Sequence, residues 1–182
     1  MPEREVEFLQ AFHRVSMAIT SLDPVGVVLN RVAEQVAGAL GAKGASIRLL
    51  DRERGEWVLC AAHGLSLDYL EKGAVHADRS IEAAAQGRTV WIEDAGADPR
   101  VEYPEANRRE GIRSILSVAM AVEGEVIGAL RLYFGRPRAL DPQEIRFAEA
   151  LASQAAVAIR NARAYEQLQK DYREVLAGMA SL

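Results

Sequence analysis

The stretch that decides the fold is residues 114–134, which read SILSVAMAVEGEVIGALRLYF. Two segments rich in β-forming residues flank Glu123-Gly124, and a two-residue connection that contains glycine is typical of a tight hairpin. We therefore predict antiparallel strands over Ser114–Val122 and Glu125–Phe134. The other elements are placed outward from this hairpin.

The chain before this hairpin contains a second hairpin and then several short pieces. Ala45–Leu50 and Glu56–Ala62 are rich in β-formers, and the turn-like residues 51–55 between them favour antiparallel pairing. Glycine and proline interrupt residues 64–113 repeatedly, so we expect only short elements there. These are brief helices over Ser66–Glu71 and Arg79–Gln86, a strand over Thr89–Ile92 and a helical turn over Glu105–Glu110.

Two helices are expected at the start of the chain. Apolar residues recur in the first 22 positions at steps of four and three, which predicts a helix ending near Ser21. Asp23-Pro24 offers an N-cap and a proline at the first helical position, so a second helix is expected from there to Gly41. The first stripe consists of Phe8, Phe12, Val15, Ile19 and Leu22.

A long helix is expected at the end of the chain. Asp141-Pro142-Gln143-Glu144 combines an N-cap, a proline and an acid at the third helical position, which is typical of a capping box. A helix from Pro142 to Met179 would be roughly 57 Å long. A body of about 140 residues has a radius of gyration near 14 Å, so the end of this helix should project from it.

This last helix carries a heptad seam, which allows two interpretations. Either Leu151–Ala162 packs on the sheet and the rest is solvated, or Tyr165–Met179 pairs with a second copy of the chain, together with the N-terminal stripe. The register of apolar residues over the projecting part favours the dimer. The seam consists of Leu151, Ala155, Ala158, Ala162, Tyr165, Gln169, Tyr172, Leu176 and Met179.

The order of elements predicts an α+β domain in which a mainly antiparallel sheet of five or six strands is backed by the N- and C-terminal helices. The sequence resembles the GAF domain family over residues 22–165, with a dimerisation helix at 1–21 and a coiled-coil-like extension at 166–182. The matching pieces are ASIRLLD (45–51), AAHGL (61–65), GRTVWIED (87–94), DPR (98–100), GIRSILSV (111–118), GEVIGAL (124–130) and the closing helix 147–165.

The resemblance implies a sensory or regulatory module, often dimeric through its terminal helices, with a small-molecule pocket between the sheet and the irregular middle segment. Arg48 or Arg113 would hold an anion, and Trp91 and Tyr103 would supply walls. Other interpretations stay open: Trp91 as a core residue, Arg113 as a surface partner of an acid, and a filled pocket in a purely structural dimerisation domain. The candidate ligand-binding residues are Arg48, His76, Ser80, Trp91, Asp94, Tyr103, Arg113 and Ser114.

Composition and motifs argue against several other functions. The net charge of −4 gives no general attraction to nucleic acid or to anionic membranes, and no apolar run is long enough to span a membrane. The N-terminus lacks the pattern of a secretory signal, so we expect a cytoplasmic protein. The sequence contains no kinase, cyclase or DNA-binding segment, so an output domain would either lie outside these 182 residues or be supplied by a partner such as a histidine kinase. The ligand's identity stays open.

We expect no catalytic or metal site. Cys60 is the one cysteine, whereas GAF-type free methionine sulfoxide reductases use a nucleophilic and a resolving cysteine, so that third hypothesis is disfavoured. Bilin attachment is unlikely because alanine, not histidine, follows Cys60. The sequence also lacks the lysine-containing signature of cyclic-nucleotide-binding GAF domains. His13, His63 and His76 do not have the spacing of metal ligands.

Overall fold

The computed structural model describes residues 2–19, 24–72 and 79–179, and it consists of five strands and six helices within those ranges. The predicted order of elements is confirmed, and the bounds of both hairpins agree with the expectation to within one residue. The elements are α1 (Pro2–Ile19), α2 (Val25–Ala39), β1 (Gly44–Asp51), β2 (Glu56–His63), α3 (Leu67–Leu70), α4 (Arg79–Ala85), β3 (Val90–Ile92), α5 (Pro104–Glu110), β4 (Ser114–Val122), β5 (Glu125–Phe134) and α6 (Pro142–Met179).

The five strands form one antiparallel sheet in the order β2-β1-β5-β4-β3. The hairpin β4–β5 lies inside the sheet, so both of its strands have a neighbour on each side. Its turn places Glu123 at φ 54° and Gly124 at φ 82°. Two consecutive positive φ values are typical of the type I′ turn that matches the twist of paired strands, which explains the glycine.

One face of the sheet, called here the helix face, is covered by α2 and α6. Side chains at alternate positions of the strands, such as Leu116 and Leu130, pack there against Val36 and Leu151, and all four are buried. The α+β prediction of a sheet backed by the terminal helices is therefore confirmed. This first core is the larger of two hydrophobic clusters in the described part of the chain.

Helix α1 lies against α2 and α6. The rings of Phe8 and Phe147 stack 4.1 Å apart at 9°, the side chain of Gln154 donates a hydrogen bond to Ser16 Oγ, and Val15 is fully buried. Phe12, which belongs to the expected stripe, is 40% exposed, so the buried side of α1 is narrower than the apolar pattern. Leu22 of that stripe and the expected cap Asp23 lie outside the described residues.

The expected capping box begins α6. Asp141 Oδ1 accepts hydrogen bonds from the backbone N–H groups of Gln143 at 2.8 Å and Glu144 at 2.9 Å. Glu144 Oε2 in turn accepts one from the backbone N–H of Asp141 at 3.1 Å. Arg138 pairs with the same carboxylate, so a charged group that is 4% exposed has its partners. The helix then runs for 38 residues.

The opposite side of the sheet, called here the second face, is partly covered by the short elements between β2 and β4. A small second core closes this side at the end where β1 begins. Its buried members are Tyr69, Ile92, Ala95, Ala106, Ile112, Ile115 and Tyr133.

Candidate functional site

A row of polar side chains crosses the second face next to the second core. Ser46 on β1 pairs directly with Arg131 on β5, and Arg131 pairs directly with Ser117 on β4. Each alternates along its strand with residues of the first core, so the three side chains share the second face. Their exposed fractions are 1%, 3% and 0%. We call these three residues the polar row.

Ser80 of α4 covers this row. Its hydroxyl oxygen accepts hydrogen bonds from Arg131 Nη2 and from Ser117 Oγ, both at 3.2 Å, and the residue is fully buried. The middle of the sheet is thereby connected to the segment that lies over it. A buried hydrogen bond to a guanidinium is stronger than one between neutral groups.

Arg48 lies two residues along β1 from Ser46 and therefore on the same face. It is 6% exposed, and its Nη1 donates to the carbonyl of Trp57 at 3.4 Å. Directly across from it stands Ala129, which pairs with Ala119 on β4. Arg48 and Arg131 thus occupy diagonal positions on neighbouring strands, whose Cα atoms are typically about 7–8 Å apart. Next to the polar row, the second face therefore carries a row of three other side chains, the guanidinium of Arg48 and the methyl groups of Ala129 and Ala119.

Tyr133, a member of the second core, lies next to the polar row on β5. Its hydroxyl lies 2.9 Å from Ser46 Oγ, and its ring packs edge-on against Tyr69 with centroids 5.7 Å apart. Tyr69 donates through its hydroxyl to Asn107 Oδ1 of α5 at 2.7 Å. The phenol groups are therefore hydrogen-bonded, and this end of the second face is closely packed.

Glu110 at the end of α5 joins α3 to the start of β1. Its carboxylate accepts the backbone N–H of Ser66 at 3.1 Å and the Ser66 hydroxyl, and Lys43 Nζ lies 2.9 Å from Oε1. Burial alone raises the pKa of Glu110, but the hydrogen bonds from Ser66 and Lys43 and the lysine charge outweigh burial. The pKa therefore lies below its ordinary value of 4.5. The ion pair and the contact with Ser66 therefore stabilise the position of α3 and α5 beside the second face.

The loop after β3 is held by an arginine pair. Arg100 donates through Nε to Asp98 Oδ1 at 2.9 Å and through Nη2 to the carbonyl of Trp91 at 3.2 Å. The side-chain hydrogen bond from Arg100 lowers the pKa of Asp98 from 3.8, although burial acts in the opposite direction. The guanidinium of Arg100 and the carboxylate of Asp98 are therefore hydrogen-bonded to each other and to the backbone.

Two of the eight candidate residues, Arg48 and Ser80, lie at the second face near Arg131. His76 lies outside the described residues. Tyr103 is half-buried against the second core rather than in the polar row. These positions assign no ligand by themselves.

Four candidates lie elsewhere. Trp91 packs with the first core, its ring edge-on to Phe134 at 5.7 Å, and Ser114 is buried on the same helix face, where its hydroxyl donates to the carbonyl of Arg136 at 3.0 Å. Asp94 and Arg113 are exposed next to one end of the sheet. Arg113 contributes its backbone there, donating to Phe134 O and accepting from Ala95 N.

The polar row was not predicted from the sequence, although the pattern of polar and apolar residues in β4 and β5 points to it. Arg131 lies between Leu130 and Leu132, and Ser117 lies between Leu116 and Val118. Each of these two strands therefore has one polar residue in the middle of an apolar segment. A charged residue in the middle of an inner strand is rarely buried without a specific reason. Only the strand order shows that these residues are direct neighbours.

The cluster of Arg48, Arg131 and the serines can bind and orient a ligand. Guanidinium and hydroxyl groups donate hydrogen bonds, and none of these residues is an activated nucleophile or a base that works at neutral pH. Cys60 lies on β2 against the first core, and its thiol donates to the carbonyl of Val58 at 3.4 Å. The one thiol of the chain is therefore not part of the polar row.

The projecting half of α6 exposes an apolar stripe. Leu151, Ala155 and Ala158 of the expected seam are buried in the domain. Its later members Tyr165, Tyr172, Leu176 and Met179 are exposed, and Gln169 is half-buried. Two further large residues that the expected seam omits, Leu168 and Val175, are 65% and 61% exposed. The stripe has heptad spacing and consists of Tyr165, Leu168, Tyr172, Val175 and Met179.

The described ranges contain neither a membrane-spanning helix nor a cluster of metal ligands. No helix there is both long and apolar enough to cross a lipid bilayer. No cluster of three or more histidine, cysteine, aspartate or glutamate residues within the same ranges has the arrangement of a metal site.

Comparison with known sequences identifies the family. The profile of the GAF domain (GAF_2) matches residues 24–160, which is most of the chain. The chain therefore belongs to the GAF domain family, as its sequence resemblance and its antiparallel sheet indicate. GAF domains are generally sensory or regulatory modules of signalling proteins. No curated protein sequence matches the chain.

Solved structures share the fold. The GAF domain of a phosphoenolpyruvate-protein phosphotransferase from Coxiella burnetii is 21% identical, with a TM-score of 0.76 over 89% of this chain and 98% of that one. A domain of a two-component sensor histidine kinase protein from Sinorhizobium meliloti 1021 is 26% identical, with a TM-score of 0.68 over 78% and 94%. Free methionine-R-sulfoxide reductase from Neisseria meningitidis is 20% identical, with a TM-score of 0.68 over 85% and 89%.

Proposed function

We propose that this chain is a ligand-responsive sensory module: a small molecule binds on the second face, and its binding changes the packing of the terminal helices across a homodimer. The observation that carries the proposal is the buried polar row under Ser80. A sheet that is stabilised only by packing gains little from a guanidinium and hydroxyls between two hydrophobic cores. A binding site needs a few polar groups placed on an otherwise apolar wall.

The site is connected to the helices through β5. Arg131 lies on the second face of this strand, while its neighbours Leu130 and Leu132 belong to the first core with α2 and α6. A ligand that displaces Arg131 therefore acts on a strand whose other side supports both helices. This arrangement supports transmission from the second face to α6, provided that the helices have two packing states.

The exposed stripe of α6 supports the dimer. A single helix that leaves the domain loses solvent-exposed apolar area when a second copy packs on it in heptad register. The stripe begins at Tyr165, close to the point where Val25 of α2 donates its backbone N–H to Glu166 Oε1 at 3.3 Å. Pairing would thus start at the edge of the domain. A histidine kinase is one output partner that such helices would suit, and the cytoplasmic location stays a prediction.

A thermal-shift screen with a metabolite library tests ligand binding. A compound that binds only the folded state raises the melting temperature by mass action. We expect at least one hit whose shift is reduced in Ser117→Ala, because Ser117 lies in the polar row. Ser153→Ala, on the exposed side of α6, is the matched control and should respond as the wild type does. A library without a saturable hit would contradict ligand binding.

A structural dimerisation domain without a ligand is the second candidate function, and the same α6 stripe favours it. The two candidates differ in the screen, because a permanently filled second face responds to no compound. Both candidates predict a homodimer. Light scattering on the full chain and on a version ending at Arg163 measures this oligomeric state. Two monomers at high micromolar concentration would exclude both candidates in their dimeric form.

An enzymatic function is the third candidate, because one structural neighbour is a free methionine-R-sulfoxide reductase. We propose no catalytic role for Cys60, since it packs against the first core on the edge strand β2. The variant Cys60→Ser tests this directly. Reductase activity in the wild type that disappears in the variant would show a thiol mechanism and overturn the proposal.

A further inference from the structure

The edge of the sheet at β2 can accept a further strand. β2 is the outermost strand on its side and has eight residues, whereas β3 at the opposite edge has three. Alternate N–H and C=O groups of an outermost strand point away from the sheet. We propose that the β2 edges of two copies of this chain pair antiparallel, centred on Val58. This contact is separate from the polar row and from the α6 stripe, so it goes beyond the proposed function and does not depend on it.

The composition of β2 favours pairing with another strand. Residues 57–62 read WVLCAA, which is a run of six residues without a charge, a proline or a glycine. Edge strands that stay unpaired usually carry lysine, proline or an inward-pointing charge, whereas uncharged β-forming segments add readily to other strands. Val58 lies on the helix face opposite Leu49 and is 45% exposed. A second strand would remove this side chain from water.

The geometry of β2 restricts the register of such a pair. A two-fold axis perpendicular to the sheet relates two antiparallel copies of one strand, and directly opposed residues then share a face, so the axis passes beside one residue and its copy. Cys60 has no opposed residue on β1, because Leu59 pairs with Arg48 and Ala61 with Ile47. Such a bulge interrupts the alternation of a strand. Regular pairing is thereby limited to residues 56–60, whose central residue is Val58.

The Val58 register places apolar side chains opposite each other on both faces. On the second face, Trp57 of one copy lies opposite Leu59 of the other, and both are half-buried in the single chain. On the helix face, Val58 lies opposite its own copy. Cross-strand pairs of aromatic and branched apolar residues are among those that stabilise antiparallel sheets. The register therefore buries the apolar side chains that this part of β2 exposes.

The charges next to this edge are complementary in the same register. Arg163 of α6 lines a groove of about 520 Å³ together with Val58 and Cys60, between the β1–β2 hairpin and the helix. Glu56 lies directly opposite the like charge of Asp51. Neither Glu56 nor Arg163 forms an ion pair with a residue that the structure describes.

Pairing centred on Val58 supplies both charges with a partner. It sets Glu56 of one copy opposite Cys60 of the other, next to the groove that Arg163 lines. The two-fold axis repeats this approach of opposite charges, so each copy contributes one acid and one arginine. Opposite charges across neighbouring strands stabilise a sheet, whereas like charges directly opposed destabilise it. A second copy of the chain therefore fits this edge.

The contact is small, because it involves about five residues of each strand. Small interfaces are typical of weak and transient association, so we expect it to be weaker than pairing along the α6 stripe. A chain with two isologous contacts can join dimers into larger assemblies. The two contacts must therefore be separated before either is measured.

Analytical ultracentrifugation of the full chain carrying Leu168→Glu tests the β2 contact without the α6 stripe. We expect a reversible monomer–dimer equilibrium at concentrations of about 0.1–1 mM. Glu56→Arg and Arg163→Glu should each weaken association about tenfold, because each reverses a charge in both symmetric pairs. The double variant exchanges the charges and should restore the dissociation constant. A double variant as weak as the single ones, or a monomer at all concentrations before any charge reversal, would overturn the inference.

Substitution of the central residue tests the pairing of the strands. Val58→Lys in the same chain should abolish association, because two lysines would lie opposite each other. Val27→Lys on α2 is the matched control, since Val27 is 41% exposed, and it should leave the dissociation constant unaltered. Circular dichroism checks that both variants are folded. An equal loss in the two variants would show a general effect of charge and contradict pairing at β2.

A cross-link tests the register in the full chain with an intact α6 stripe. Directly opposed Cα atoms of antiparallel strands are about 4.5–5.5 Å apart, which permits a disulfide. In a Cys60→Ser chain, Val58→Cys should therefore form a covalent dimer when dissolved oxygen oxidises the two thiols. Arg54→Cys in the β1–β2 turn, where the side chain is 76% exposed, should react much less. Equal yields would indicate random collision and overturn the Val58 register.

Discussion

Glu110 holds the backbone of Ser66 across 44 residues of sequence, with its Oε1 3.1 Å from the serine nitrogen. Ser66 is the N-cap of α3, and its own hydroxyl oxygen accepts the backbone N–H of Tyr69 at 3.2 Å. One carboxylate thus fixes the start of α3 to the end of α5. These two helices contribute Tyr69 and Ala106 to the second core, so this contact supports the packing next to the candidate site.

Glu110→Gln should destabilise the fold. The amide loses the charge that pairs with Lys43 and can no longer accept through both of its terminal atoms, so we expect a loss of about 1–3 kcal/mol in the free energy of unfolding. Urea denaturation at neutral pH measures it. Glu105→Gln on the same helix, whose side chain is 67% exposed, should change stability by less than about 0.5 kcal/mol. Equal effects would show that the Ser66 contact is unimportant.

The effect of Glu110 should depend on pH in a defined direction. Its pKa is lower in the folded protein than its ordinary value of 4.5, so the carboxylate stabilises the fold above that pH. The contribution is lost as pH falls below 4.5 through the lowered value. Unfolding curves of the wild type and Glu110→Gln should therefore converge as pH decreases in this range. A stability difference that stays constant down to pH 3 would contradict the assignment.

Trp91 should matter for stability and not for ligand binding. Its ring packs on Phe134 in the first core, so Trp91→Ala should cost about 3 kcal/mol, near the lower end for large aromatic truncations because the residue is half-buried. The apparent Kd of a ligand that the thermal-shift screen identifies should not change where the variant remains folded. A large loss of affinity with little loss of stability would restore Trp91 as a wall of the site.

The α6 stripe should control assembly. Leu168→Glu and Val175→Glu place a charge in the stripe and should convert a dimer into monomers, measured by light scattering, while the circular dichroism of the domain is retained. Lys170→Gln changes the net charge by the same amount on the opposite side of the helix and should remain dimeric. If all three variants stay dimeric, the interface lies elsewhere.

Local chemistry made most of the fold predictable. The turn at Gly124 and the capping box at Asp141 are decided by neighbours within a few residues, and both elements have the expected bounds. The candidate site was predicted less well, because it depends on pairing between distant segments. Arg131 meets Ser46 and Ser80 only through the strand order and the path of α4, which periodicity does not encode.

Two candidate residues lie away from the polar row for a similar physical reason. The family resemblance and their placement at strand edges near the irregular segment group Trp91 and Ser114 with the ligand, but strand alternation turns both to the helix face. In a sheet with one core on each side, a shift of one position exchanges the faces. For Trp91, the face is set by the register of β3 on β4, which pairs it with Leu116. A strand of three residues is too short for its sequence to predict this register.

The central claim is that binding at the second face and pairing of α6 are linked. The dimer dissociation constant of the full chain, measured by analytical ultracentrifugation with and without a saturating concentration of a ligand from the thermal-shift screen, tests it directly. Linkage predicts a change of about fivefold or more with the ligand and none in Arg131→Gln. A dissociation constant that is the same with and without the bound ligand would contradict the account.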